Sequence, residues 1–452
     1  MTTVKVRPED IITVVPVENR KIYIREETGF YQKWRRYLNI LLVGLFVFLP
    51  FIRYDSQQAI LFDVGQQTLT FFAYVLYPQD LMIFALLFIL AAFGLFLITR
   101  HYGRVWCGFT CPQTVWTLAF NWVERRIEGN HNQSRTLDSR PLSLKKGLLK
   151  ATKHSLWLLL SFATAAVFMS YFYPASALYT ELLSFSTPAL ISGWTLFFTA
   201  CTYVNAGWIR EKMCLHMCPY SRFQAAMFDK NTSLVTYDAA RGETRGPRKR
   251  NAINTGQGDC IDCKLCVQVC PAGIDIRDGL QYACINCGLC IDACNKVMKK
   301  FSYQPNLIGY TRAGNDSGRH VSNLLYGFAI VAILAAMLGW AYNRSDVEVG
   351  IIRDRNALFR ENNAGNIENT FTLSLLNKSR RPKAFMLSLE GLPAATISAT
   401  GPIEVDPGEK RVISVSVAVG NLPNAQRSRF NFVITDNTGN EKISKSTVFF
   451  SG

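Results

Sequence analysis

The sequence predicts a polytopic α-helical membrane protein of five spans, with a cysteine-rich insert between the fourth and fifth spans and an all-β domain at the C-terminal end. Three observations carry this expectation. Five mostly apolar stretches, at residues 37–52, 81–99, 155–173, 189–209 and 322–342, meet or approach the ~20 residues needed to cross ~30 Å of hydrocarbon. The chain has 13 cysteines, most of them in tight runs, a pattern that suits metal ligation better than a disulfide framework. The tail after residue 342 has no Cys, no His and no long apolar run, but it alternates apolar with polar residues over 371–376, 411–419 and 430–435.

Residues 1–27 are polar, with Glu9, Asp10, Glu18 and Glu26, and lack the short apolar core of a cleaved signal peptide. They are expected to be retained in a cytoplasmic N-terminal segment, 1–36. The four spans over 37–209 follow, and their orientation is read from charge, since basic residues collect in cytoplasmic connections. The 53–80 connection holds only Arg53, the 100–154 connection holds ten Lys and Arg, and the 174–188 connection holds none. Arg20, Lys21, Arg25, Lys33, Arg35 and Arg36 precede the first span. The alternation predicts an N-inside, C-outside chain in a bacterial inner membrane, and it accounts for the formal net charge of +16 as a topology signal. No basic patch with interleaved aromatics stands apart from the membrane loops, so nucleic-acid binding finds no support. The polar run 124–146 reads as a mobile cytoplasmic loop, and Trp106, Trp116 and Trp122 read as an interfacial belt.

On this topology residues 210–321 are cytoplasmic and contain the strongest chemical signal. Cys260, Cys263, Cys266 and Cys270-Pro271 form one C-x2-C-x2-C-x3-C run, and Cys284, Cys287, Cys290 and Cys294 form a second. This is the spacing of a two-cluster ferredoxin, in which the fourth cysteine of each run ligates the other cluster. One four-iron, four-sulfur cluster is therefore expected on Cys260, Cys263, Cys266 and Cys294, and another on Cys284, Cys287, Cys290 and Cys270. Small or apolar neighbours such as Ile261, Leu265, Ile285, Gly288 and Leu289 suit shielded clusters. Zinc sites instead come as two CxxC pairs separated by a longer loop. The ferredoxin-like domain is placed at 250–300, the fifth span at 322–342, and a periplasmic Ig-like β-sandwich at 343–452, punctuated by turn signals at 406–408 and 436–439.

A second repeat lies at the ends of the second and fourth spans: Cys107-Gly108-Phe109-Thr110-Cys111-Pro112 and Cys214-Leu215-His216-Met217-Cys218-Pro219, the latter completed at 214–219. If the backbone stays helical, cysteines at i and i+4 share a face. Proline makes an alternative available, in which Cys111 and Cys218 are N-caps of new helices whose dipoles lower their thiol pKa. Either geometry supports soft-metal binding or redox exchange. Soft ligands suit Cu(I), and Met213, His216 and Met217 place thioether and imidazole groups beside the second pair. Cys201 reads as a core residue, and His101, His131, His154 and His320 are assigned no role.

Five spans, two CxxxCP motifs, a two-cluster insert and a C-terminal β-sandwich in this order resemble the CcoG (FixG, RdxA) family of accessory proteins for assembly of cbb(3)-type cytochrome c oxidase. The resemblance implies a cupric reductase, an oxidoreductase that converts Cu(II) to Cu(I). On this sequence it places the iron–sulfur ligands on the eight cysteines from Cys260 to Cys294, and the copper-linked cysteines on Cys107, Cys111, Cys214 and Cys218. The expected partners are a cytosolic electron donor and a copper chaperone or oxidase assembly factors docked on the periplasmic domain; the sequence leaves the oligomeric state open, a homodimer among the options. Two other readings share most of these features. One is a quinol-linked membrane ferredoxin of NapH type that handles no copper, and the other is a non-catalytic, redox-sensing assembly scaffold.

Overall fold

The computed structural model describes all residues except 1–20, 56, 230, 250–255, 313–319, 355–356, 363–364, 380, 400, 421–426, 437–441 and 452. The chain divides into two compact units, one of residues 1–52 and 84–336, the other of 53–83 and 337–452.

The first unit is mainly helical. Its α-helices of five or more residues are α1 (Phe30–Phe48), α2 (Met82–Tyr102), α3 (Val105–Phe109), α4 (Pro112–Glu128), α5 (His131–Ser139), α6 (Leu144–Met169), α7 (Ala175–Ser184), α8 (Ala189–Val204), α9 (Pro219–Ala226), α10 (Leu289–Lys300) and α11 (His320–Asn343). Their boundaries follow local chemistry. Pro112 sits at the first position of α4 and Gly129, at φ 84°, ends it, because only glycine takes that backbone freely. Ser143 accepts the Lys146 amide at the start of α6. Phe185, at φ 55°, ends α7, and α7 and α8 meet at 90°.

Three single helices among the described residues, Phe30–Phe51, Met82–Tyr102 and Ser322–Asn343, are long and apolar enough to cross a membrane, or four spans if the bent α7–α8 pair is one. The expected third span falls on α6, which is not in this set. Lys145, Lys146, Lys150 and Lys153 occupy its first third, and Trp157, Ser161, Ala165 and Ala166 are buried on one face. Trp157 packs with Phe120, and its indole N–H donates to the Phe120 carbonyl at 3.1 Å. Cys201, expected in the core, is instead exposed on α8.

The 124–146 run, expected as a mobile loop, is the end of α4 followed by α5, and its two buried glutamates pair with cations from outside the run. Buried Glu124 pairs with Arg210 at 2.8 Å and Lys21 at 2.8 Å, while buried Glu128 pairs with Lys150 and Lys153 at 2.7 and 2.8 Å. Burial opposes the charge on Glu124, but Arg210 and Lys21 outweigh it and hold the carboxyl down at about 2.

In the second unit, strands Ile60–Asp63, Thr68–Phe71 and Tyr74–Leu76 form an antiparallel meander. Residues 347–450 form two sheets. One has the order Ala395–Ile397, Lys410–Val419, Ile367–Asn377, Val347–Arg353, with Arg360–Glu361 also paired to Ile367–Asn377. The other runs Ile403–Val405, Lys383–Glu390, Arg427–Asp436, Lys442–Phe450. The alternating runs read from the sequence lie inside the long strands. Phe371, Leu373 and Leu375 are all fully buried, at the two-residue period that puts one strand face in a core. Phe371, Phe430 and Phe432 meet with ring centroids 5.1–5.6 Å apart, each Phe contributing ~1.5–3 kcal/mol by its burial. The turn at 406–408 is present, with Gly408 at φ 75°; residues 437–439 lie outside the described residues. Asp80, 5% exposed, lies 3.2 Å from both Arg344 and Lys378, so the meander and the sandwich share a buried ion cluster.

Candidate functional site

The two cysteine runs of the insert are one loop built twice. Asp262 and Lys264 have φ of 51° and 56°, and Asn286 and Gly288 have 56° and 72°; each pair stands two and four residues after its first cysteine. Alternating right- and left-handed residues turn successive N–H groups to one side and form a concave nest for negative charge. A helix follows each loop, Leu265–Gln268 after the first and α10 after the second. Arg277 braces the first loop, reaching Asp262 at 2.5 Å and Asp275 at 2.6 Å. Asn286 fixes the second, its amide donating to the Tyr102 carbonyl at 2.7 Å and accepting the Val235 N–H at 2.8 Å.

The thiols fall into two groups of four. Cys294 feels the charge of Cys266, Cys260 and Cys263, and Cys270 feels that of Cys287 and Cys284. Cys290 feels Cys287, Cys284 and Cys270 before Cys266. Each group therefore takes its fourth member from the other run. Ile276, Ile291, Val269 and Ala293 are buried around them. Burial pushes the Cys266, Cys270 and Cys294 thiols up to about 12 and Cys284 to about 11, so loading with metal must release protons. Backbone N–H groups of Ile274 and Ala272 toward Cys270, of Asn286 toward Cys284 and of Ile308 toward Cys294 favour the thiolate. Two groups of four sulfurs, all buried or half-buried but for exposed Cys263 and partly lined by amides, fit a pair of iron–sulfur clusters.

The CxxxCP segments combine the two geometries open to them. Cys107 lies within α3 and is 6% exposed, whereas Cys111, at ψ 130°, is the N-cap of α4. Cys214 lies on the turn Met213–Met217, and Cys218 is extended just before Pro219 and α9. Cys107 feels Cys111, Cys214 and Cys218, so all four sulfurs share one neighbourhood. The expected lowering of the Cys111 pKa does not hold. Burial raises it, and the N–H groups of Gln113 and Thr114 offset only part of that rise. Burial likewise pushes Cys107 to about 12 and Cys214 to about 11. Met213 is half-buried, and His216 and Met217 are exposed. Among the described residues no three His, Cys, Asp or Glu side chains are gathered tightly enough to hold a single metal ion.

The two thiol neighbourhoods adjoin. A Cβ on Gly108 would meet the Ile285 carbonyl oxygen at 2.7 Å and the Cys287 Cα at 3.0 Å, so the first CxxxCP segment lies directly on the second cysteine loop. Leu215, from the other segment, packs against Ala272, Ile274 and Ala283, beside Cys270 and Cys284. Arg104, 2% exposed, donates to the Tyr282 carbonyl at 2.7 Å and to the Ser221 carbonyl, and the Ser221 hydroxyl donates to the carbonyls of Cys214 and Cys218 at 2.5 and 3.0 Å. The Cys107 thiol donates to Gln224 Oε1 at 3.1 Å.

Comparison with known proteins accords with this arrangement. A model described as a 4Fe-4S dicluster domain matches residues 209–313, and a model of the Ig-like fold at the C-terminus of FixG matches 337–452. The nitrogen fixation protein FixG of Rhizobium meliloti is 33% identical over 88% of this chain and 84% of its own length. The chain belongs to the FixG/RdxA family. Protein RdxB of Cereibacter sphaeroides is 34% identical over 98% of each chain, and protein RdxA of the same organism is 36% identical over 85% of each. Membership makes this an iron–sulfur protein of electron transfer, of oxidoreductase type, with an Ig-like C-terminal domain and several apolar helices suited to a membrane.

Arg104, Gly108, Ser221, Gln224 and Asn286 had no role in the sequence reading. Arg104 stands among basic residues that serve as a topology signal. Gly108 had a visible cue, since the two CxxxCP copies differ there, Gly against Leu215.

Proposed function

We propose that this chain is an inner-membrane cupric reductase that converts Cu(II) to Cu(I) for assembly of a cbb(3)-type oxidase. The observation that carries the proposal is the packing of Gly108, between Cys107 and Cys111, onto Cys287. It sets a four-thiol neighbourhood beside the dicluster insert. Clusters held by Cys260, Cys263, Cys266 and Cys294, and by Cys270, Cys284, Cys287 and Cys290, supply one-electron carriers when bound. The second set is the one that adjoins the CxxxCP cysteines, which orders the two sets along the path. Pairs among Cys107, Cys111, Cys214 and Cys218 hold the copper, each Cu(II) taking one electron; Met213, His216 and Met217 stand at the rim of this site. Thiolates favour Cu(I), so release calls for a partner with soft ligands of its own, a chaperone or assembly factor. The charge alternation of the loops supports five spans, with the N-terminus and insert cytoplasmic and the Ig-like domain periplasmic.

The test is anaerobic purification, cluster reconstitution and reduction, then addition of Cu(II) while Cu(I) is trapped by a chelator. Wild type yields Cu(I). A Cys107, Cys111, Cys214 and Cys218 quadruple Ser variant keeps its clusters and loses copper binding and reduction. Wild-type behaviour in that variant would remove copper from these cysteines and favour the quinol-linked carrier or the scaffold.

A further inference from the structure

Helices α1 and α4 line an open cleft of about 1230 Å³. On α1 its wall is a single stripe that changes character along its length, from Gln32, Arg35 and Asn39 to Ile40, Val43 and Val47. On α4 the same change runs in reverse sequence order, with Val115, Leu118 and Trp122 at the apolar end and Arg125 at the polar end. The apolar half lies on Phe30–Phe51, one of the helices suited to crossing a membrane. A Cβ on Gly44, which also lines the cleft, would meet nothing within 4 Å.

The polar end is built but unsatisfied. Gln32 Oε1, Arg35 Nε and Nη1, and Asn39 Oδ1 are buried without a hydrogen-bond partner among the described residues, although buried polar atoms are nearly always paired. Arg35 is 2% exposed, and its charge is felt by Cys287 and Cys270. A smaller cavity of about 50 Å³ also touches Gln32 and Arg35 and is walled by Val269, Pro271 and Leu289, sequence neighbours of Cys270 and Cys290.

We propose that this cleft binds a membrane quinone, with its ring against Gln32, Arg35 and Asn39 and its isoprenoid tail along the apolar half. Ring oxygens accept from the guanidinium in the oxidised form and donate to the two amide oxygens in the reduced form, matching both kinds of unsatisfied atom. A phosphate headgroup only accepts. The mouth is also less cationic than its arginine count, because Glu26 pairs with Arg36 at 2.7 Å and with Arg125 at 3.3 Å, which favours an uncharged ring over an anionic lipid. The volume exceeds the ~300–1,000 Å³ of ordinary small-molecule pockets and leaves room for several tail units. The proposal rests on the electron-transfer reading of the insert, and it names the class of molecule that meets the insert from the membrane side.

The experiment titrates the full chain, with clusters, in phosphatidylcholine nanodiscs with a decyl-tailed benzoquinone while following tryptophan fluorescence. Saturable quenching is expected, with its amplitude reduced in Trp122→Phe, and with affinity about tenfold weaker in Gly44→Leu and in Ala119→Leu, both of which fill the cleft. Visible cluster absorbance should be the same in all three variants, so that binding is read apart from copper reduction. Non-saturable quenching equal in every variant would overturn the proposal. So would loss of quinone binding in anionic nanodiscs, with Gly44→Leu lowering the co-purified anionic phospholipid instead, which would make the cleft a lipid site.

Discussion

At the residue scale the cysteines divide into those whose partners follow from spacing and those whose partners do not. The crossed grouping expected of Cys270 and Cys294 rests on spacing, because the x3 step carries the fourth cysteine out of its own loop. Cys294→Ser should lower the iron content by about half and leave the signal of the Cys270, Cys284, Cys287 and Cys290 set. Cys270→Ser should do the reverse. Iron analysis with paramagnetic resonance reads both, and identical residual spectra in the two variants would contradict the crossed assignment. Arg104 and Arg35 were not legible in this way. In the sequence each is one of many basic residues beside an apolar stretch, and only three-dimensional burial, at 2% exposure for both, separates them from the rest.

At the element scale the sequence located helices well and judged their surroundings less well. The starts and ends of α2 and α11 lie within three residues of the spans expected there. For α6, an apolar stretch alone could not show that Lys153 and Trp157 are buried against α4. The pKa expectation at Cys111 failed for a related reason. A helix N-terminus stabilises a thiolate only modestly, and burial of the same sulfur opposes it. The close approach of α3 to the second cysteine loop gives a direct test. Gly108→Ala must push the Ile285 carbonyl and the Cys287 backbone aside. Misplacement on the order of 1 Å costs up to about a hundredfold in a positioned reaction, so the variant should keep its thiols and iron while Cu(II) reduction slows roughly tenfold or more. An unchanged rate at full iron content would show that electrons do not pass through this contact.

At the scale of the whole molecule the grouping of residues 53–83 with 337–452 was invisible in the sequence, because nothing in a short polar connection marks it as part of a domain that begins 250 or more residues later. The Asp80 cluster ties the two segments together. Removing Asp80 strands Arg344, at up to about 3–5 kcal/mol, while Lys378 keeps Glu348 at 2.8 Å. Asp80→Ala should therefore lower the opening free energy of the strand Val347–Arg353 by about that amount in hydrogen exchange on the full chain. Adding Arg344→Met should restore part of it. Unaltered protection in the single variant would mean that water already solvates the two cations.

The same cluster sets a schedule for biosynthesis. Lys378 follows Asp80 by 298 residues, and at ~5–20 residues per second the ribosome delivers it roughly 15–60 s later. For most of that interval Asp80 has neither counter-charge, since Arg344 follows it by 264 residues. Its ion cluster is complete only once residue 378 has been made, and a stop codon before residue 344 leaves Asp80 with neither cation.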